Sequence, residues 1–279
     1  MAVDLHVHSS ASDGTDTPDL VVAEAAAAGL TAIALTDHDT LAGIPAAREA
    51  ATRFPIELIP GVELSVDHAG VKIHMLSYFL EPPAGPLQDR LEELRTGRTL
   101  RNRRIVERLN ELGYPITTDD VLHQAAGDAV GRPHIADALV AAGAISNRSE
   151  AYIELLIDGG MAYGERDRLT AIEAITLTME SGGLTSIGHP LTISTDAAHL
   201  GSIFEDLREV GLAGIEAHYS EHAPAIRAQL AAVAADLGLV ATGGSDYHGA
   251  GKPGLRIGSG HGDLVVPDSA LEELRRRRP

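Results

Sequence analysis

The stretch "VDLHVHSSASDG", residues 3–14, alternates apolar Val3, Leu5 and Val7 with polar Asp4, His6 and His8. A period of two is the mark of a β-strand with one polar face. A solvent-facing strand ordinarily fills such a face with Thr, Lys or Glu, so two histidines there ask for a chemical reason. The strand runs into a Ser/Gly turn that carries Asp13.

Outward from this strand, similar runs recur at "TAIALTD" (31–37), "IELIPGVELSV" (56–66), "VKIHMLSYF" (71–79), "LTSIGH" (184–189), "GIEAHYS" (214–220) and "LVATGGSD" (239–246). Helical segments lie between most of them. In "TPDLVVAEAAAAG", Thr17 is a candidate N-cap, Pro18 suits the first helical position and Gly29 closes the segment. Further helical segments cover 41–52, 170–181 and 222–237. This alternation predicts a parallel α/β arrangement, and about seven strands suffice for a closed or nearly closed barrel. From Pro86 to Gly164 the pattern changes: "RRIVERLNELG", "DDVLHQAAG" and "RPHIADALVAAG" read as successive helices with no convincing strand. The expected organisation is therefore a first barrel part (1–85), a helical insertion acting as cap or substrate domain (86–164) and a second barrel part (165–279). "EPPAGP" and "MAYGERD" are the expected linkers.

Composition narrows the chemistry. The 279 residues can bury a substantial core, and with 44% hydrophobic residues, no Trp and three Phe, that core must be built from Ala, Val, Leu and Ile. No stretch is apolar enough to span a membrane and no basic-then-apolar leader opens the chain, so the expected location is the cytoplasm. The absence of cysteine excludes disulfides and thiolate metal sites, leaving His, Asp and Glu as metal donors. A net charge of -18 argues against charge-driven binding to duplex DNA or other long nucleic acids, and a phosphate substrate would need local positive charge.

Ligand-type side chains collect at strand ends. His6, His8 and Asp13 follow from the first strand; Asp37, His38 and Asp39 end the second; Glu63 lies on the third and His74 inside the fourth; His189 closes the fifth; Glu216 and His218 lie on the sixth; Asp246 and His248 follow the seventh. In a parallel barrel these ends share one mouth. One histidine on a strand is usually packed or solvated, but six in this context point to a shared centre. Imidazole with carboxylate suits Zn, Mn or Fe(II), and a carboxylate such as Glu63 can bridge two ions. Paired ions activate water and clamp a phosphate ester.

"DLHVHSSASDG", "TDHDT", "PGVELS", "GHP" and "GSDYHG" together resemble the successive motifs of the PHP (polymerase and histidinol phosphatase) superfamily. The resemblance implies a distorted (β/α)7 barrel with an inserted helical domain and a site for two or three divalent ions (Mn, Zn or Fe). Carried over, His6, His8, Glu63 and Asp246 would hold one ion; Glu63, His74 and His189 a second; Asp13, His38 and His248 a third. The "GRPHIADAL" segment, Asp13 and "GIEAHYSEH" are similar to the branch of nucleoside 3′,5′-bisphosphate phosphatases, AMP phosphatases and a 5′-to-3′ exoribonuclease. Histidinol-phosphate phosphatases carry His where Asp13 stands.

Local positive charge lies mainly in the middle of the chain. Seven arginines fall within 90–108, with Arg101, Arg104 and Arg108 at helical spacing. They fit either a solvated face paired with Glu92, Glu93 and Glu107, or a phosphate-gripping cap. Arg132 and His134 open an expected helix, where free backbone N–H groups favour anions, and by resemblance they would hold a second phosphate or the departing side of the substrate. Lys252 in a Gly-rich loop is a further candidate. The expected reaction is hydrolysis of a nucleotide phosphomonoester by metal-activated water without a phosphoenzyme, with His218, His222 or a metal-bound water as general acid and Glu216 orienting a ligand. Candidate substrates are a nucleoside 3′,5′-bisphosphate, AMP or a short 5′-phosphorylated oligonucleotide. The alternatives are a cyclic-phosphate phosphodiesterase and a non-catalytic nucleotide-binding module, the latter disfavoured because every ligand position is filled.

Overall fold

The computed structural model describes residues 2–83, 85–125, 130–164 and 168–278. Parts of the two expected linkers, Ala84 and residues 165–167, lie outside the described residues, as do residues 126–129, where "DDVLHQAAG" ends. The elements run β1 (Val3–Val7), α1 (Pro18–Ala27), β2 (Ala32–Leu35), α2 (Ile44–Ala51), β3 (Glu57–His68), β4 (Val71–Tyr78), then α3 (Gly85–Glu111), α4 (Thr118–Gln124), α5 (Arg132–Ala141) and α6 (Arg148–Glu154). A short β5 (Leu169–Thr170) precedes α7 (Ala171–Glu180), β6 (Leu184–Ile187), α8 (Ala197–Val210), β7 (Gly214–Tyr219), α9 (Pro224–Asp236), β8 (Val240–Gly244) and α10 (Asp268–Arg277). Among the described residues no helix is long and apolar enough to cross a membrane.

Seven strands form one sheet in the order β1-β2-β3-β4-β6-β7-β8, with β5 paired to the far end of β3. The sheet curls so that its edges meet: Asp246 N–H donates to His6 O at 2.8 Å, and His8 N–H to Tyr247 O at 2.9 Å. The result is a nearly closed seven-stranded barrel. One feature differs from the parallel arrangement expected, since β4 runs antiparallel to both β3 and β6. The reason is local: β3 and β4 are joined by the tight Ala69–Gly70 turn, both residues at positive φ, which leaves no room for a crossover helix. The reversal accounts for His74 lying inside its strand, because β4 enters the mouth early and leaves it.

Helix boundaries follow the residues expected to set them. Thr17 and Pro18 open α1 and Gly29 (φ 77°) follows its end, although the Thr17 hydroxyl makes no capping bond to the backbone. Thr170 and Glu173 form a reciprocal capping box at the start of α7, as Thr117 and Asp120 do for α4. The core has three parts. Val21, Ile33, Leu35, Val62, Leu64 and Phe204 belong to the layer between barrel and helices. Val3, Leu5, Ala34 and Tyr78 pack with Leu271 and Leu274 of α10, which plugs the end of the barrel where β1 begins. Ile105, Leu109, Ile135, Leu139 and Leu156 form a separate core for the helical insertion. Helix α3, about 40 Å long at 1.5 Å per residue, belongs to both: Leu87 and Leu91 pack with the barrel layer, Ile105 and Leu109 with the insertion. Arg98 and Arg101 therefore stand at the junction.

β8 reaches β1 closely because it ends in two glycines. A Cβ on Gly244 would collide with the backbone nitrogen and Cβ of His6, and one on Gly243 with His218. Gly244→Ala is expected to lower stability by about 1–3 kcal/mol, measured by urea unfolding, and to reduce activity through displacement of His6.

Candidate metal centre

Each strand end delivers its side chain by an identifiable local device. The Asp37 carboxylate, fully buried, accepts Ser9 N–H at 2.8 Å, Ser9 Oγ–H at 2.7 Å and Ser12 Oγ–H at 2.7 Å. This ties the "HSSAS" turn to the end of β2 and brings Asp13 back over His8. Asp37 is thus part of the scaffold rather than of the mouth. Asp39, His189 and Asp246 lie in the left-handed region, with φ of 51°, 27° and 56°. Such conformations cost non-glycine residues about 1–3 kcal/mol each and persist only when surrounding bonds over-determine them. Here Asp39 N–H donates to Glu63 O at 2.9 Å, His189 N–H to Glu216 Oε2 at 2.6 Å, and Asp246 N–H to His6 O.

The donor atoms converge. His6 Nε2 and His8 Nε2 lie 3.1 Å apart. His6 Nε2 is 3.3 Å from Glu63 Oε2 and 3.5 Å from Asp246 Oδ1; His8 Nε2 is 3.1 Å and 3.3 Å from the same oxygens. A tetrahedron of N and O donors at about 2.0–2.1 Å from a divalent ion has edges of about 3.3–3.4 Å, which these five separations match. Glu63 faces two ways: Oε1 is 2.8 Å from His74 Nδ1 and 3.0 Å from His189 Nε2, while Oε2 also lies 3.2 Å from His38 Nδ1. Asp13 is 3.2 Å from His248 Nε2 and 3.7 Å from His38 Nε2. Four overlapping donor sets follow: His8, Asp13, His38 and His248; His6, Glu63 and His189; His6, His8 and Asp246; His38, Glu63 and His74. All nine residues carried over by resemblance meet at this mouth, though the sets do not coincide one for one with the three implied groupings.

The donor chemistry fits divalent cations. Among the described residues, the buried Nδ1 atoms of His8 and His38 have no hydrogen-bond partner. Elsewhere the second ring nitrogen is engaged, leaving Nε2 as the free donor: His6 Nδ1 donates to Glu216 Oε1 at 2.9 Å, His189 Nδ1 to Thr192 Oγ1 at 3.0 Å, and His248 Nδ1 to Asp246 O at 2.9 Å. Such outer bonds fix ring orientation and tautomer in metal sites. Burial would raise Glu63, yet the facing histidines hold it well below the usual carboxylate range. Asp246 and Asp13 behave in the same way, burial being overridden by their imidazole neighbours. Burial would lower His8, but Asp246 and Glu63 raise it to about 9. The carboxylates are thus held charged among imidazoles, and a divalent cation would take the place of the imidazole protons.

Beside the mouth a cleft of ≈ 220 Å³ runs between barrel and insertion, sharing Asp13, His38 and His74 with it. Arg101, Arg132 and His134 line this cleft, together with Lys72, Arg98, Tyr152 and Arg168. His134 is buried, and its Nδ1 accepts Gly131 N–H at 3.0 Å. Arg104 is exposed and lines neither cleft nor mouth; it points away from the junction that Arg98 and Arg101 occupy. Lys252 reaches the mouth, where its ammonium pairs with Asp246.

The expected acids do not reach the mouth. The register between β7 and β8 shifts between Glu216 and His218, and this irregularity reverses the alternation, so that Tyr219 faces the site. Its hydroxyl donates to Asp246 Oδ2 at 2.9 Å. His218 lies against Gly243, and His222 sits behind the Tyr219 ring, centroids 5.1 Å apart. Neither lines the mouth. Sequence reasoning missed Tyr219, for which an irregular strand leaves no signal, and Lys72, which its spacing of two from His74 could have marked.

A barrel whose strand ends gather histidines and carboxylates around one buried glutamate defines a metal-dependent hydrolase. The PHP domain model matches residues 4–169, and the chain belongs to this family. It is 34% identical over 258 residues to the phosphoribosyl 1,2-cyclic phosphate 1,2-diphosphodiesterase of Eggerthella lenta, covering 89% of this chain and 95% of that protein. It is 30% identical over 257 residues to the 3′,5′-nucleoside bisphosphate phosphatase of Chromobacterium violaceum, covering 92% and 90%. A solved structure from Bifidobacterium adolescentis superposes with a TM-score of 0.87 at 33% identity, covering 99% of this chain and 96% of that one. The protein is a PHP-type metal-dependent hydrolase of phosphate esters.

Glu216, fully buried, holds both the His6 ring and the His189 backbone. Glu216→Ala is expected to weaken metal retention about 10- to 100-fold, read as metal content after titration with a chelator.

Proposed function

We propose that the protein removes a phosphate from a nucleotide, with a nucleoside 3′,5′-bisphosphate, which carries a second phosphate, as the leading substrate and AMP or a short 5′-phosphorylated oligonucleotide as related ones. The observation that carries this reading is the cationic cleft opening onto the metal centre through Asp13, His38 and His74. In a chain of net charge -18, the cleft gathers Lys72, Arg98, Arg101, Arg132 and Arg168, with Asp13 the one carboxylate among the described residues of its lining. Such a wall suits a second anionic group held away from the reacting one.

His6, His8, Glu63 and Asp246, with His74 and His189, and with Asp13, His38 and His248, would hold two or three Mn, Zn or Fe ions. Such ions supply Lewis-acid activation of water and neutralise phosphoryl oxygens. The chain's own groups do the rest. Glu216, Thr192 and the Asp246 carbonyl orient His6, His189 and His248. Tyr219 and Lys252 both engage Asp246 Oδ2, leaving Oδ1 toward His6 and His8. Arg101, Arg132 and His134 would bind and align the substrate along the cleft, which is where phosphoryl transfer draws most of its acceleration. A cyclic-phosphate phosphodiesterase is the second reading, favoured by the Eggerthella lenta relative.

The test is phosphate release, with added Mn, from AMP, adenosine 3′,5′-bisphosphate, a cyclic nucleotide and a short 5′-phosphorylated RNA. The bisphosphate is expected to react fastest, and Arg132→Ala to raise its KM about tenfold or more while changing p-nitrophenyl phosphate turnover little. Equal losses on both substrates would remove the second-phosphate role, and reaction of the cyclic ester alone would establish the second reading. Exhaustive chelation is expected to abolish activity and readdition of metal to restore it.

A further inference from the structure

At the outer end of the cleft one carboxylate joins two cations. Lys72 precedes His74 by two residues on β4, so both side chains leave the same face of the strand. Its ammonium pairs with Asp158 Oδ2. Asp158 Oδ1 accepts from Arg132 Nη1 at 2.8 Å, and the same nitrogen donates to Leu156 O at 2.9 Å. The Lys72 ammonium also stands 5.6 Å from the centroid of the Tyr163 ring. Lys72 belongs to the barrel and Arg132 to the insertion, so Asp158, in the loop after α6, spans the two across the cleft rim. Lys72 and Arg132 both line the cleft, whereas Asp158 does not.

We propose that Asp158 determines the anion selectivity of the outer cleft. Its two oxygens meet Lys72 and Arg132 as two oxygens of a phosphate would, and the second phosphate of the substrate takes over these cations from it. This rests on reading the cleft as the second-phosphate site. A carboxylate bears one charge and a phosphomonoester nearly two at neutral pH. Exchange therefore favours a terminal phosphate dianion and disfavours singly charged groups such as a carboxylate or a phosphodiester. Asp158 is a threshold for charge, set by competition within the protein. It is 37% exposed and outside the apolar core of the insertion, so Asp158→Asn, which keeps the side chain's shape, is the variant that tests it.

The experiment compares kcat and KM for AMP and adenosine 3′,5′-bisphosphate in the metal-loaded enzyme, in Asp158→Asn and in Asp158→Asn/Lys72→Gln. Asp158→Asn is expected to lower KM for the bisphosphate about two- to fivefold, the scale of exposed ion pairs, with AMP unchanged. Adding Lys72→Gln should return KM toward the wild-type value. If the wild-type enzyme treats both nucleotides alike, the second-phosphate reading itself fails. If the wild type prefers the bisphosphate but Asp158→Asn leaves its KM unchanged or raises it, the role of Asp158 alone is overturned.

Discussion

Glu63 is the constraint around which the molecule is arranged. Its carboxylate is 1% exposed, and its two oxygens together lie within 3.3 Å of five imidazoles from four segments of the chain. A buried carboxylate is tolerable only when paired on every side. The strand ends must therefore meet at one point, and closure of the barrel by β1 and β8 is what makes them meet. The left-handed residues His189, Asp39 and Asp246 store local strain at that rim, each held by a bond from its own N–H.

The helical insertion is coupled to this centre through α3. Arg98, buried at the middle of the helix, pairs with Asp39, whose backbone in turn bonds Glu63 and whose Oδ1 accepts Ser65 N–H at 3.2 Å. A residue adjacent to His38 is thereby held by the element that builds the cleft wall. The position of the cleft and the geometry of the mouth are linked by a buried ion pair, which is directional and costly to break once desolvated. α3 packs in the barrel layer at one end and in the insertion core at the other, so one helix links the two cores across the junction.

Much of the centre was legible in the chain itself. Histidine and carboxylate beside strand-ending Gly, Asp and Pro are visible without coordinates, and the nine expected donor residues all reach the mouth. The role of Glu216 as an orienting group was also readable, from a carboxylate alternating with apolar neighbours on a strand. Other assignments failed for geometric reasons. Regular alternation would put His218, two residues after Glu216, on the same face as that carboxylate, and the register shift in β7 gives the place to Tyr219. Arg104 shared the helical spacing of Arg101, but helix rotation left it in solvent while Arg101 is buried at the junction.

By itself, the sequence determined the alternation of strands and helices, the helical interruption after β4, the absence of thiolate chemistry and the set of side chains able to hold divalent ions. These depend on residue type and short-range period, which local sterics and hydrophobic burial translate directly into structure. Only the tertiary structure decided the antiparallel course of β4, the facing of the two Glu63 oxygens, the choice of Tyr219 over His218, and the pairing of Lys72 and Arg132 through Asp158. Each depends on which distant segments come within a few ångströms of one another, and that is set by strand register and barrel closure rather than by any local pattern.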